Sequence, residues 1–326
     1  ENQIEVEDIH NQGEIFFSFS PNSFVTTKVS FFINLVYFYQ KKAMFYHFLI
    51  TRFNLKNPEW DVTKNNEALL DEKWMDERLE LFSNYCLPSV INQSNKNFKW
   101  LLFFDSSTSD KYRAKIESIL QKNDLIVPFY IDGMPKFNEA ILNYLKENAA
   151  DKDYLITSRI DNDDCIHKDF INEIQKQFNK QEFLAIDNIN GYTLQVEPNF
   201  ILGKKEHIFN PFISLIERND NPKTVWHYVH NMWKKETRLI HLSEKRLWLS
   251  VIHGKNKVNE FDGYGNIKWC DINSDFIISD SKNKEIITTQ LPFSKWWFLS
   301  LKNYLYVKMV LLSKKFKKIL GIYKIK

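Results

Sequence analysis

The chain of 326 residues has little glycine and little cysteine, with 8 Gly and 3 Cys. So few glycines exclude collagen-like and linker-rich chains, which need glycine at a large share of positions. The cysteines Cys86, Cys165 and Cys270 lie far apart, and no Cys/His set has the spacing of a zinc site. Unpaired cysteines without a recognisable secretory signal are typical of a reducing compartment, so we expect a cytosolic protein.

Three further absences narrow the class of protein. Neither a GxxxxGK[ST] nor a GxGxxG loop occurs, which argues against P-loop nucleotidases and dinucleotide dehydrogenases. The formal net charge of +3 is too small to indicate a nucleic-acid partner. No stretch reaches the roughly 18–20 apolar residues of a membrane span. Aromatic residues are abundant instead: the 27 Phe indicate a phenylalanine-rich core.

The first 43 residues differ from the rest. Their apolar patches are interrupted by Pro21, Lys28 and Asn34, whereas Met44 opens the strand-like run "MFYHFLITRFNL". We expect Met44 to be the native start and residues 1–43 to be a leader or upstream extension, poorly ordered. The alternative is an additional N-terminal element that packs on the domain.

From Phe45 onward, predicted strands and helices alternate. Short apolar runs predict buried strands at "FYHFLITRF", "FKWLLFFD", "LIVPFYI" and "DYLITSRI", with helix-periodic segments between them. This order predicts an α/β fold with a mostly parallel central sheet and helices on both faces. Further short strands and a helix around "TVWHYVHNMWKK" complete a domain expected over residues 44–260.

An acidic cluster follows the fourth predicted strand directly. Asp161, Asp163 and Asp164 stand within four positions, at the strand end where parallel sheets bind ligands. Carboxylates this close repel one another unless a cation compensates, and hard oxygen ligands favour Mg²⁺ or Mn²⁺. The stretch is not an EF-hand, because Ile166 stands where the loop glycine belongs. A solvated acidic turn is the alternative.

A divalent ion held by one or two carboxylates commonly completes its shell with substrate phosphates. Such an ion neutralises the charge that develops on a departing diphosphate. A D-x-D at a strand end, without a glycine-rich loop, therefore favours a nucleotide-sugar transferase. Two alternatives stay open: a non-catalytic, membrane-associated binding or scaffold protein, and a metal-dependent phosphotransferase or nuclease, for which no second acidic set is apparent.

The motifs also resemble a known family. "LPSVINQSNKNFKWLLFFDSSTSD" is similar to the pattern of family 2 glycosyltransferases. "ITRFNL", "ERLELFSNYCLPSV", "SRIDNDD", "NPFISLIE" and "LWLSVIHGKNKVN" together resemble the bacterial putative rhamnosyltransferase family, from about Phe45 to about Asn259. The resemblance implies an A-type glycosyltransferase fold and metal-dependent, inverting transfer of a sugar, with rhamnose as the first candidate. The donor would be a nucleotide-diphosphate sugar, and the acceptor a cell-surface polysaccharide or lipid-linked saccharide at the inner membrane face.

The resemblance also implies roles for residues of the acidic cluster. Asp163 would bind the metal, and Asp161 would share the metal or contact the ribose. Asp164 would orient donor hydroxyls, and Arg159 would hold a diphosphate oxygen or clamp the aspartates. Asp105 would accept a hydrogen bond from the nucleotide base; an aspartate that opens a turn is the alternative.

Residues from other segments are expected to line the same cleft. Thr51, Arg52 and Asn54 end the first strand, with Arg52 facing the donor phosphates or base. The resemblance implies that His253 is a further metal ligand or touches the diphosphate, with a structural histidine as the alternative. Lys255 would neutralise leaving-group charge.

An inverting transfer needs a general base near the acceptor hydroxyl. Glu217 is our candidate, followed by Asp187 and Glu244. The alternative for each is an exposed acidic residue at the end of a helix.

The C-terminal extension, residues 261–326, has no acidic residue beyond Glu285, while lysines alternate with Trp, Tyr and Leu. This pattern predicts a basic amphipathic helix that contacts the cytoplasmic membrane surface. The alternative is a helix packed on the domain with its lysine face in solvent.

Overall fold

The computed structural model describes residues 44–57, 71–228, 230–254 and 260–322. The chain divides into two compact units, Glu1–Gln40 and Lys41–Lys326. All described residues belong to the second unit, which includes the C-terminal extension. The expectation for residues 1–43 lies outside the described residues.

Within these ranges eleven strands form. In chain order they are β1 Phe45–Arg52, β2 Lys99–Asp105, β3 Ile126–Ile131, β4 Tyr154–Arg159, β5 Cys165–Ile166, β6 Phe183–Asn188, β7 Asn190–Gln195, β8 Ile201–Glu206, β9 Ser214–Arg218, β10 Leu239–Leu242 and β11 Trp248–Ile252.

Seven α-helices accompany them in the same ranges. They are α1 Glu72–Leu81, α2 Leu87–Ile91, α3 Asp110–Leu120, α4 Phe137–Asn148, α5 Phe170–Gln175, α6 Asp280–Thr289 and α7 Trp297–Ile319. A π-helical turn, Phe82–Cys86, joins α1 to α2. Short 3₁₀ helices cover Met134–Lys136, His230–Lys235, Trp269–Asp271 and Phe293–Lys295.

The central sheet has seven strands in the order β10-β6-β9-β4-β1-β2-β3. All neighbouring pairs are parallel except those of β9, which runs antiparallel to both β4 and β6. β1, β2 and β4 therefore end at the same edge. The predicted α/β class with a mostly parallel sheet is confirmed.

Helices cover both faces of this sheet, as predicted. The apolar sides of α1, α3 and α5 pack on one face, and that of α4 packs on the other together with Trp233. Phenylalanines fill these layers: Phe103 stacks on Phe129 at 4.6 Å and meets Phe137 edge-on at 4.9 Å. Such pairs contribute beyond their buried area, which explains the high phenylalanine content.

A second sheet, β5-β11-β7-β8, joins the first beside the acidic cluster. The short β5 follows that cluster and pairs antiparallel with β11. Gly191 allows β7 and β11 to approach, because a Cβ there would lie 2.1 Å from the Trp248 ring. Trp248 in turn stacks on Phe212 at 5.0 Å and donates to the Asn188 carbonyl. This packing fixes the strand that leads to His253.

One predicted helix is much shorter. Among the described residues of the segment "TVWHYVHNMWKK", the helical part is the 3₁₀ helix His230–Lys235. Thr224 has φ of 64°, a left-handed conformation that interrupts a helix, and β-branched and aromatic residues favour helices weakly. None of the helices in the described ranges is long and apolar enough to cross a membrane.

Candidate functional site

The acidic cluster lies where the two sheets meet. β4 is buried along its whole length and ends at Arg159, and the chain then turns through the cluster into β5. Parallel register brings the ends of β1 and β2 beside it. Polar side chains from three strand ends therefore share one edge of the sheet.

Asp163 is at the centre of this edge. Its Oδ2 accepts a hydrogen bond from Arg78 at 2.5 Å and lies 3.1 Å from His253 Nε2. Burial opposes ionisation of Asp163, but the charge of Arg78 and the hydrogen bond with His253 outweigh it and hold its pKa well below the usual range. Asp163 is thus an anion between two nitrogen groups.

The two neighbouring aspartates differ in environment. Asp164 is buried and accepts a hydrogen bond from the Val251 amide at 2.9 Å, so it ties the cluster to β11. Burial and the charges of Asp163 and Asp161 raise the pKa of Asp164 well above its usual value. The Asp161 side chain is 33% exposed and lies 3.6 Å from Arg159. Of the three, Asp161 is the most accessible to a ligand.

Two arginines and a tryptophan form a cationic wall beside Asp161. The guanidinium groups of Arg159 and Arg52 lie 3.9 Å and 5.3 Å from the centre of the Trp226 ring. Burial and the charge of Arg52 lower the pKa of Arg159 to about 10, and Asp161 opposes the shift. The buried Arg159 Nε finds no hydrogen-bond partner in the described part of the chain. Such a wall suits a phosphate, which guanidinium groups bind strongly.

Three further predicted residues, at or just after the ends of β1 and β2, make hydrogen bonds within the protein. Thr51 is fully buried and donates to the Ile160 carbonyl at 2.9 Å. Asn54 accepts from the Asp105 amide at 3.1 Å. Asp105 accepts from the Lys56 amide at 2.9 Å, and its hydrogen bonds lower its pKa although burial opposes them. These contacts are all within the protein and hold the strand ends together.

Glu217 is not brought to this edge. Because β9 runs antiparallel, Glu217 pairs with Leu155, four residues before Arg159 on β4, or about 13 Å at ~3.3 Å per residue. Its carboxylate accepts from the Lys223 and Thr224 amides at 2.8 Å each. Burial raises its pKa. In this structure Glu217 holds the loop that carries Trp226.

The other residues named from the sequence lie elsewhere. Asp187 is fully buried and bonded to the Phe209 amide and to His241, and Glu244 is exposed. Lys255 lies outside the described residues. Sequence reasoning missed Arg78, although it stands in the segment "ERLELFSNYCLPSV", and it missed Trp226 as a partner of the two arginines.

Two candidate metal ligands, Asp163 and His253, lie close together. An ion with ligands at ~2.1 Å in octahedral geometry places adjacent ligands about 3 Å apart, close to the 3.1 Å between Asp163 Oδ2 and His253 Nε2. No set of three or more His, Cys, Asp and Glu converges within the described residues. Phosphate oxygens and water would complete the shell, as is usual for such ions. Arg78 donates to the same carboxylate oxygen, so a bound ion would have to weaken this hydrogen bond.

A cavity of about 470 Å³ lies beside His253, between α1, the β7–β8 turn and α6. Its lining includes the carboxylates of Glu77, Glu197 and Glu285. Glu197 Oε2 lies 3.2 Å from the Gly254 amide, which donates to it. The cavity therefore brings several hydrogen-bond acceptors next to His253.

Comparison with known families identifies the class: the protein is a glycosyltransferase. The family model described as "Putative rhamnosyl transferase" matches residues 46–263, more than half of the chain, and the chain belongs to this family. This confirms the resemblance found in the sequence. No curated protein matches the chain in sequence.

Solved structures also show similarity. S. aureus TarS 1-349 in complex with UDP-GlcNAc is 15% identical, with 74% of this chain and 70% of that chain covered and a TM-score of 0.37. A putative nucleotide-diphospho-sugar transferase from Desulfovibrio desulfuricans G20 is 7% identical, with 64% and 80% covered and a TM-score of 0.30. At these scores, similarity says nothing about the substrate of this chain.

Proposed function

We propose that this protein transfers a sugar, with rhamnose as the first candidate, from a nucleotide-diphosphate donor to a saccharide or lipid-linked acceptor, in the cytoplasm. Membership of the rhamnosyl transferase family supports the sugar class. The observation that carries the proposal is the pairing of Asp163 with His253 at the strand edge, beside the cationic wall of Arg52, Arg159 and Trp226.

The donor diphosphate would lie between these two groups. Arg52 and Arg159 offer positive charge, and both guanidinium groups lie over the Trp226 ring, which holds them beside the strand edge. Asp163 and His253 would hold Mn²⁺ or Mg²⁺, which when bound supplies positive charge for the leaving diphosphate. Asp161, whose side chain is partly exposed, would contact the ribose or the ion.

The acceptor would enter through the cavity beside His253. Its carboxylates can accept hydrogen bonds from sugar hydroxyls, and among them Glu197 is joined directly to the backbone next to His253. We therefore propose Glu197, in place of Glu217, as the group that accepts the acceptor proton. Glu197→Gln should abolish transfer while nucleoside-diphosphate binding stays unchanged. The control Glu285→Gln, on the α6 side of the cavity, should keep most activity; equal losses in both variants would contradict the role.

Donor turnover tests the proposal as a whole. Purified protein is screened for release of nucleoside diphosphate from a panel of nucleotide sugars with Mn²⁺, Mg²⁺ or EDTA. We expect one donor to be turned over in the presence of metal and Asp163→Asn to lose that turnover. Asp169→Asn is the control, because it neutralises a nearby aspartate on the same segment and keeps an oxygen that can accept from Ser94. Undiminished turnover by Asp163→Asn would refute the assignment.

A further inference from the structure

The inward side of helix α7 makes mainly polar contacts, beside the buried Val307 and the partly buried Leu311. Ser300 and Asn303 are buried; Ser300 accepts from the Gly265 amide at 2.8 Å, and Asn303 donates to the Gly263 carbonyl at 3.0 Å. Lys308 pairs with Glu206 at 3.1 Å. Further along, two more lysines, Lys314 and Lys318, also contact the domain. The inward face of α7 is therefore largely polar.

The opposite face is apolar and exposed. Side chains spaced three or four residues apart lie on one side of a helix, and here these positions hold large apolar residues that are 50–69% exposed: Phe298, Leu301, Leu305, Met309, Leu312 and Phe316. We call these six residues the α7 apolar face. At 1.5 Å per residue the face is on the order of 30 Å long. An amphipathic helix normally buries its apolar side, so the orientation of α7 requires another apolar partner.

Charge indicates which partner fits. Lys302 and Lys317 flank one margin of the α7 apolar face, Lys315 flanks the other, and all three are exposed. The chain has no acidic residue after Glu285, so a second copy of α7 would bring lysines against lysines. An anionic lipid surface instead offers apolar depth for the face and negative headgroups for its margins.

We propose that α7 lies in the plane of an anionic lipid bilayer, with the α7 apolar face inserted at the headgroup boundary. This adds a location to the proposed function, because it would hold the enzyme beside a lipid-linked acceptor. The surface itself is inferred from α7 alone and does not depend on the donor site.

Vesicle flotation tests this without any donor. The full chain is mixed with vesicles of phosphatidylcholine alone or with a third phosphatidylglycerol. We expect binding to the anionic vesicles, and weaker binding in high salt. Leu305→Gln/Met309→Gln/Phe316→Gln should lower the partition coefficient more than about tenfold, because each change removes an inserted side chain. The control Leu142→Gln/Ile287→Gln changes exposed apolar residues on α4 and α6 and should bind like the unaltered chain.

Three results would overturn the proposal: no binding to anionic vesicles in low salt, equal binding by the triple variant, or a dimer in light scattering that the triple variant converts to a monomer. Unchanged thermal unfolding of the triple variant confirms its fold. Donor turnover is measured separately, so a protein that turns over donor but ignores vesicles would refute only this inference.

Discussion

The ion pair between Arg78 and Asp163 leads to a quantitative prediction about stability. Both side chains are largely shielded from solvent, 12% and 11% exposed, and the pair is joined at 2.5 Å. Removing one partner of a buried pair leaves an uncompensated charge and costs about 3–5 kcal/mol. Because His253 remains as a partner of Asp163, we expect Arg78→Met to lose about 3 kcal/mol, the lower end of that range. This corresponds to a melting temperature lower by on the order of 10 °C.

The assay is urea unfolding with Lys111→Met as the matched control. Lys111 pairs with Glu72 at 2.9 Å, but their side chains are 60% and 75% exposed, so solvent screening should leave this pair with little effect on stability. The double variant Arg78→Met/Asp163→Asn should lose less than the sum of its single variants, because neutralising Asp163 removes the unpaired charge. If Arg78→Met loses no more stability than Lys111→Met, Asp163 does not carry the shielded negative charge from which this prediction was made.

Three other predictions follow from the described contacts. Arg159→Lys should weaken nucleoside-diphosphate binding about tenfold in calorimetry, because lysine lacks the planar guanidinium group that lies over Trp226 and can bind two phosphate oxygens; unchanged affinity would exclude the cationic wall as the phosphate site. Burial lowers the pKa of His47 to about 3. Between pH 6.5 and 3 the unfolded chain therefore binds a proton at His47 that the folded chain does not bind. The free energy of unfolding should fall as the pH drops through this range, by up to about 1.4 kcal/mol per pH unit. His47→Asn should flatten that pH dependence in denaturant titrations, and an identical slope would contradict it. Gly191→Ala should cost about 1–3 kcal/mol in unfolding experiments, since the new methyl group overlaps the Trp248 ring; no loss would show that the two strands can separate there.

The central sheet could be predicted because each of its inner strands is short, apolar and followed by turn residues. Parallel pairing then places the ends of β1, β2 and β4 together, which is why the acidic cluster was expected near a ligand. The same logic failed for Glu217. The apolar pattern of a strand does not indicate the direction in which the strand runs. Because β9 is antiparallel to β4, Glu217 lies well away from the end of β4 that leads to Asp161.

The spacing of residues along the sequence does not predict contacts between distant segments. Arg78 meets Asp163 across 85 positions, and Arg159 meets Trp226, which follows a loop that is bonded to Glu217. The C-terminal helix shows the same limit. Its composition predicted an amphipathic helix, but only its polar contacts with the domain reveal that the apolar side faces outward.

The most direct test of the site is calorimetric titration of UDP, GDP and dTDP into the protein with Mn²⁺ and with EDTA. The account predicts that one nucleotide binds at least about tenfold more tightly with Mn²⁺, and that Asp163→Asn removes this difference. Equal affinity in EDTA, or a metal effect that survives in Asp163→Asn, would contradict the claim that Asp163 and His253 hold the ion that meets the diphosphate.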